Sequence, residues 1–497
     1  MAGATGAVGE VLLRVLEERN FPVAELRPLA SERSAGTTVR FRGADHHVEV
    51  ARPAALDGAD FVFFAATGTL SKELAPEAAE RGAIAIDKSS TWRMAEGVPL
   101  VVPEVNADAL DGHRRIVACP NCTTIPFVMV LEAIHREAGL GRVVVTTLQS
   151  VSGSGKPGLE ELEAQTGAVV RGEPLHAEFY PEPIAHNVLP LCETFRDDGY
   201  STEEVKLALE TRKILGLPGL DVAMQCIRVP VPVGHSLSVL IETQTPLDPD
   251  AARRALAAFP GIAVVDDPSR NVFPTPARAA GRDEVLVGRI RRDLQSDRLW
   301  LFICSDNLRK GAATNAVQIA EELMARGLCQ RPPSHGARRP EMALELLEDA
   351  RPAPIVPLDD LGVGQPLVGE DEARPAHMRR QVDGDEAPRR SGGRRDPREG
   401  ETARRIDGAV LSRVLDVPAR LPHHDAEAAA HAHVGVDERG GEVSGAHEDP
   451  QAVWVRPGPE HGRRRHRKDA FEHERRAIAF LHAPDIGIGL NFCQPSG

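Results

Sequence analysis

Three glycines spaced G-x-x-G-x-x-G, in "GATGAVGE" (Gly3, Gly6, Gly9), stand directly before an amphipathic helix, and this junction constrains the fold most. In "EVLLRVLEERN" the spacing puts Val8, Leu12, Val15 and Leu16 on one helical face. A short strand is expected near "AELRPLAS". "FVFFAAT" is a continuous apolar run, as a strand covered on both faces requires. "SKELAPEAAERG" reads as the next helix, closed by Gly82, and "AIAID" as the next strand. This alternation predicts an α/β fold, a Rossmann-like parallel sheet with helices on both sides. The first strand of such a sheet should precede Gly3. Only Met1 and Ala2 stand there, so that strand is expected to be truncated by about five to seven residues. Its neighbours would then hold unpaired backbone groups, which are costly when buried. A start codon read too late would explain the shortfall, with poor solubility and weak ligand binding as results.

The turn has a chemical reading. Small residues let the backbone approach a pyrophosphate, and the N-terminus of the following helix favours the anion. Gly3, Thr5, Gly6, Ala7, Val8 and Gly9 are the contacts expected; an ordinary tight turn is the bland alternative. Enzymes that bind NAD place an acid at the end of the next strand for the ribose hydroxyl. Here the chain reads "LASERSAG". Ser31, Arg33 and Ser34 can donate to a 2′-phosphate, and Glu32 is the only acid nearby. The loop points to NADP rather than NAD, against the alternative of a solvated polar loop.

"ACPNCTTIPFVMVLEAIHREAGLG" carries the strongest sign of catalysis. Ile125, Val128, Leu131 and Ile134 form an apolar stripe that ends before Gly139, so Cys122 falls in or just before a helix's first turn. Backbone N–H groups and the helix dipole there are expected to lower the thiol pKa. A thiolate attacks an aldehyde or an acyl phosphate. Cys119 and Cys122 also spell C-x-x-C, but no second pair completes a zinc site and no thioredoxin-like context surrounds them. A small buried hydrophobe is the alternative for Cys122. In "IRVPVPVGHSLSVLIET", Arg228 and His235 flank a turn. The Arg could clamp a carboxylate and the His could shuttle a proton; a charged surface hairpin is the alternative.

At 497 residues the chain can hold two or three domains. A net charge of -14 argues against a nucleic-acid partner, and no apolar run is long enough for a membrane span. Seven scattered cysteines fit a reducing cytoplasm better than a disulfide framework. From residue 332 to 497 the composition changes. That stretch holds 23 Arg but one Lys, no Tyr, and 11 of the chain's 18 His. It shows neither helical nor strand period. A disordered tail is one reading; translation of GC-rich DNA in a wrong frame is the other. No metal is expected, because "HHDAEAAAHAH" lacks a partner cluster.

With these motifs in order, residues 1 to about 330 closely resemble the aspartate-semialdehyde dehydrogenase family. "GATGAVGE" and "LASERSAG" resemble its NADP turn and 2′-phosphate loop. "DKSSTWRM" resembles its Ser-Ser-x-x-Arg-Met segment, which makes Arg93 a phosphate ligand. "PNCTT" resembles its nucleophile motif, implying Cys122 as nucleophile and Asn121 as a substrate neighbour. "TTLQSVSGSGKPG" implies Gln149 at the catalytic site, with Ser152 and Gly153 near the nicotinamide. "EEVKLALETRKIL" places Glu203 and Lys206 on one helical face, where the family binds substrate and phosphate. "RVPVPVGHS" implies Arg228 for the substrate carboxylate and His235 as acid/base. "DNLRKGAATNAVQIAE" resembles the returning C-terminal helix, with Asn307 near the nicotinamide.

The resemblance implies NADPH-dependent reduction of L-aspartyl-4-phosphate to L-aspartate 4-semialdehyde with release of phosphate, in lysine, threonine and methionine biosynthesis. It also implies a homodimer or homotetramer, a cofactor domain at 1–120 plus 308–330, and an α+β catalytic and dimerisation domain at 121–307. The nearest rival is N-acetyl-glutamyl-phosphate reductase, whose nucleophile usually lies in Gly-Cys-Tyr; "PNCTT" and the Arg228–His235 spacing argue against it. An inactive product of a misread frame is a rival from another class.

Overall fold

The computed structural model describes residues 1–330, and the readings made for 332–497 lie outside the described residues. The glycine turn leads into helix Ala7–Glu18, with Val11, Leu12, Leu13, Val15 and Leu16 buried. Strand Phe61–Phe64 pairs in parallel with Ile84–Asp87, and that strand with Ile116–Ala118. Helix Gly68–Glu80 crosses between the first two, and Gly82 turns the chain at φ +81°. The strand expected near "AELRPLAS" is only Leu29–Ala30, paired in parallel with Glu49–Val50.

Met1 and Ala2 occupy the position between Leu29–Ala30 and Phe61–Phe64. The Ala2 N–H donates to the Phe63 carbonyl at 2.9 Å, and the Leu29 N–H to the Met1 carbonyl at 2.7 Å. Ala65 and Gly3 complete the pairing on the two sides at 2.9 and 2.8 Å. The expectation of a strand position without pairing is therefore corrected at this end: two residues join both halves of the sheet. A cavity of about 280 Å³ continues from Met1 between Leu16, Phe21, Leu29 and Phe63. Burial beside Arg27 pushes the Met1 ammonium pKa down to about 5.

The second sheet has six strands in the order Ile262–Val264, Val285–Arg292, Leu299–Ser305, His235–Thr243, Leu140–Gln149, Asp221–Arg228. Helix Thr124–Ala138 packs against it and against helices Thr202–Leu215 and Pro249–Ala258. The stripe Ile125, Val128, Leu131 and Ile134 is wholly buried there. After Leu299–Ser305 the chain makes a π-helical turn at Arg309–Ala313 and continues as helix Thr314–Ala325, which packs on helix Ala7–Glu18. The inserted second sheet is thus bracketed by segments of the first. Among the described residues no helix is long and apolar enough to cross a membrane.

Register fixes what meets at the end of the second sheet. Gln149 lies opposite Arg228 in a parallel pair, and His235 begins the neighbouring antiparallel strand at the same end. Three polar side chains from distant sequence positions thereby meet where helix Thr124–Ala138 begins.

Candidate active site

Cys122 sits just before that helix, whose N-cap is Thr123. Asn121 shapes the approach: its Oδ1 accepts from the Thr123 amide at 2.8 Å and hydroxyl at 2.6 Å. Cys122 Sγ lies 3.2 Å from His235 Nε2. On the far side of the ring, Nδ1 is 3.0 Å from both the amide nitrogen and the hydroxyl of Ser150. A cavity of about 350 Å³ opens beside the sulfur, lined by Asn121, Gln149, Gly153, Glu203 and Arg228 among others.

Glu203 organises one wall. It accepts from Asn121 Nδ2 at 2.9 Å and Gln149 Nε2 at 3.2 Å. Burial, then the charge of Glu193, raises its carboxyl pKa, while Lys206 and Asn121 oppose the shift. Lys206 itself is bound to Glu193 at 2.5 Å and stands 3.8 Å from Glu203. Arg228 donates from Nη1 to the Ser150 carbonyl at 2.7 Å, and its buried Nε has no hydrogen-bond partner among the described residues. A buried donor left unpaired costs free energy, and Arg228 is one of the residues that line the cavity.

Other expected residues are placed differently. Arg93 lies behind the Cys122 loop and its donors are engaged. Nε bonds the Cys119 carbonyl at 3.1 Å, Nη2 the Lys88 carbonyl at 2.7 Å, and Nη1 Glu210 at 2.9 Å. Glu210, which the sequence reading passed over, also accepts the Asn121 amide at 2.7 Å. Asn307 and Ser152 stand behind His235. Asn307 Oδ1 accepts from Gly234 N–H at 2.9 Å and from the Ser150 and Ser152 hydroxyls at 3.0 and 3.1 Å. Gly153 permits a close approach: a Cβ there would be 3.0 Å from Arg228 Nη1 and 3.1 Å from His235 Cε1.

The thiol expectation is corrected. Burial, then Glu203, pushes the Cys122 pKa up to about 12, against the pull of Lys88, Arg93 and Arg228. The physical reason is desolvation of a sulfur enclosed beside a carboxylate. Burial, then Arg228, holds His235 well below the ordinary imidazole range.

The glycine turn fits a diphosphate. A Cβ on Gly9 would sit 2.2 Å from the Gly3 carbonyl oxygen, and one on Gly3 would sit 2.3 Å from that of Ala65. Gly6 caps the helix without a side chain, leaving its first N–H groups to an incoming anion. Ser31, Arg33 and Ser34 lie on the turn that follows Leu29–Ala30, with Ser31 and Arg33 exposed. Glu10, in the first turn of the glycine-led helix, pairs with Lys156 at 2.7 Å, three residues past Gly153. Gly311 lies against Cys122, and its turn packs on helix Ala7–Glu18. The turn and the sulfur therefore border the same segment.

Comparison with known proteins agrees with this geometry. Residues 1–113 match a family model described as "Semialdehyde dehydrogenase, NAD binding domain", and 131–310 match "Semialdehyde dehydrogenase, dimerisation domain". The aspartate-semialdehyde dehydrogenase of Aquifex aeolicus is 47% identical over 333 residues, 66% of this chain and 98% of that protein. That of Bacillus subtilis is 46% identical over 336 residues, 65% of this chain and 96% of that protein.

The chain belongs to the aspartate-semialdehyde dehydrogenase family.

A solved aspartate semialdehyde dehydrogenase II from Vibrio cholerae, complexed with ASA, aligns with TM-score 0.62 and 44% identity over 65% of this chain and 97% of that one. The Candida albicans enzyme with NADP aligns with TM-score 0.52 and 25% identity over 66% and 98%. As a member of this family the chain is an oxidoreductase with a nicotinamide-binding fold and an oligomerising domain.

Proposed function

We propose that the chain reduces L-aspartyl-4-phosphate to L-aspartate 4-semialdehyde, releasing phosphate, through a thioester on Cys122, in the biosynthesis of lysine, threonine and methionine. The observation that carries this reading is Cys122 Sγ, 3.2 Å from His235 Nε2, at a cavity with an unpartnered Arg228 donor, in a chain of this family. Cys122 attacks the acyl carbon and phosphate leaves. NADPH, when bound, supplies the hydride. His235 stands over the reacting atoms as proton donor. Arg228 binds the substrate carboxylate, Glu203 binds at the opposite wall and orients Gln149 and Asn121, and Lys206 with Arg93 offsets phosphate charge.

Residues 1–120 with 308–330 form the cofactor domain, and 121–307 the catalytic domain. Gly3 to Gly9 cradle the diphosphate, and Ser31, Arg33 and Ser34 hold the 2′-phosphate that selects NADP. Ser152, Gly153 and Asn307 border the nicotinamide through the loop they brace. The working assembly is a cytoplasmic homodimer or a tetramer built from it.

The test is Cys122→Ala, assayed with aspartyl phosphate and with N-acetyl-glutamyl phosphate. Loss of aspartyl-phosphate reduction by at least about a thousandfold is expected, with NADP affinity retained. Retained turnover in that variant removes Cys122 from the reaction. Preference for the other acyl phosphate would reassign the substrate.

A further inference from the structure

Helix Thr202–Leu215 carries Glu203, Lys206, Glu210 and Lys213 at helical spacing, so the four side chains share one face. Glu203 and Lys206 belong to the cavity wall. Glu210 and Lys213 meet the segment that carries Arg93 instead. Glu210 is 1% exposed, and both of its carboxylate oxygens are taken. Oε1 accepts from Arg93 Nη1 at 2.9 Å, and Oε2 accepts from the Asn121 amide at 2.7 Å. Lys213 Nζ donates to the carbonyl oxygens of Arg93 at 2.7 Å, Ala95 at 3.2 Å and Val98 at 3.0 Å. One helix thus holds Arg93 by its guanidinium and by its backbone. The Arg93 charge is felt at two groups that line the cavity, the Cys122 thiol and the Glu193 carboxyl, whose pKa values it acts to lower. Each of its three nitrogens gives one N–H to the partners described, so each Nη keeps a second N–H.

We infer that Glu210 and Lys213 are positioning residues for Arg93, and that through it they set how strongly the site binds the phosphoryl group. This rests on the function proposed above, in which Arg93 offsets phosphate charge. A guanidinium on a long side chain loses conformational freedom when an anion fixes it, and a guanidinium already fixed has less to lose. A buried ion pair adds little to stability by itself, since desolvation of both charges opposes their attraction. Placement is therefore the stronger account of Arg93 and Glu210. The same carboxylate also holds the amide of Asn121, the residue before Cys122, so one group sets the phosphate-side cation relative to the nucleophile loop.

The test uses the full chain in the reverse direction, with aspartate semialdehyde, NADP and inorganic phosphate. Glu210→Gln keeps the size of the side chain. Its amide has one oxygen and one NH2, so it accepts one of the two N–H groups and sets its own donor against the other. The KM for phosphate is expected to rise about tenfold or more in this variant, while the KM for aspartate semialdehyde changes by less than about twofold. Lys213→Met leaves both Glu210 bonds in place and should raise the phosphate KM about threefold or more, with kcat within about twofold. In an Arg93→Gln background, Glu210→Gln should add less than about twofold to the phosphate KM, because it acts through the residue already lost. An unchanged phosphate KM, a parallel rise in both KM values, or full multiplication of the two effects in the double variant overturns the inference. If Glu210→Gln does not fold, the ratio of the two KM values in Lys213→Met decides by the same criteria. Failure here, with Cys122→Ala inactive, leaves the proposed reaction standing. An active Cys122→Ala removes both.

Discussion

At the scale of single residues, Glu203 acts in two directions. Its charge raises the Cys122 thiol, yet its oxygens hold Gln149 and Asn121 at the cavity. Glu203→Gln should therefore make the sulfur more acidic and less well served. Alkylation of Cys122 at pH 8 is expected to quicken severalfold while kcat falls by about tenfold or more. Parallel measurement of the two rates checks the split. His235 supplies a pH dependence of stability. Its folded pKa lies well below the ordinary value, so between the two the unfolded chain binds more protons than the native one. The stability associated with this group is full above about pH 6.5 and is lost as pH falls toward the folded pKa. Denaturant unfolding across pH 5 to 8 should show this slope, and His235→Gln should flatten it.

At the scale of elements, the glycine turn and its helix are one unit, because Gly9 rests on the carbonyl oxygen of Gly3. A methyl group at Gly9 would meet the carbonyl oxygens of Gly3 at 2.2 Å and Ala4 at 2.8 Å. Gly9→Ala is expected to cost about 1–3 kcal/mol of stability and to weaken NADP binding more than tenfold, read by thermal unfolding and cofactor titration. The turn, the helix after it and the runs Phe61–Phe64 and Ile84–Asp87 were legible in sequence, since each carries its own period and punctuation. The strand near residue 29 was legible only as a place: it pairs over two residues, and no local pattern announces so short a contact. Cys122 and His235 were legible through the motifs around them, "PNCTT" and "RVPVPVGHS", since either residue type alone has a bland use in a core or a surface hairpin. Ser150 and Glu210 were not. One acts through a backbone amide, which every residue but proline has. The other is a Glu on a helix rich in acids, and only the tertiary pairing with Arg93 and the Asn121 amide singles it out.

At the scale of the whole molecule, cofactor binding should register as stability. A ligand that binds only the folded chain at a hundred times its Kd adds about 2.7 kcal/mol. NADP should raise Tm more than NAD at equal concentration, and Arg33→Ala should erase the difference while leaving the NAD shift intact. An unchanged preference for NADP in that variant would place the 2′-phosphate elsewhere. The long-range ion pairs Lys156–Glu10 and Arg309–Glu18 join sequence segments far apart, so the glycine-led helix is tied to the segments that follow both ends of the second sheet's inner strands. The run from Asn307 to Ala313 goes further. It braces the imidazole at one end, abuts the nucleophile through Gly311, and leans on the first helix. A nucleotide bound at the glycine turn, as proposed above, would therefore stand one packed segment away from the nucleophile.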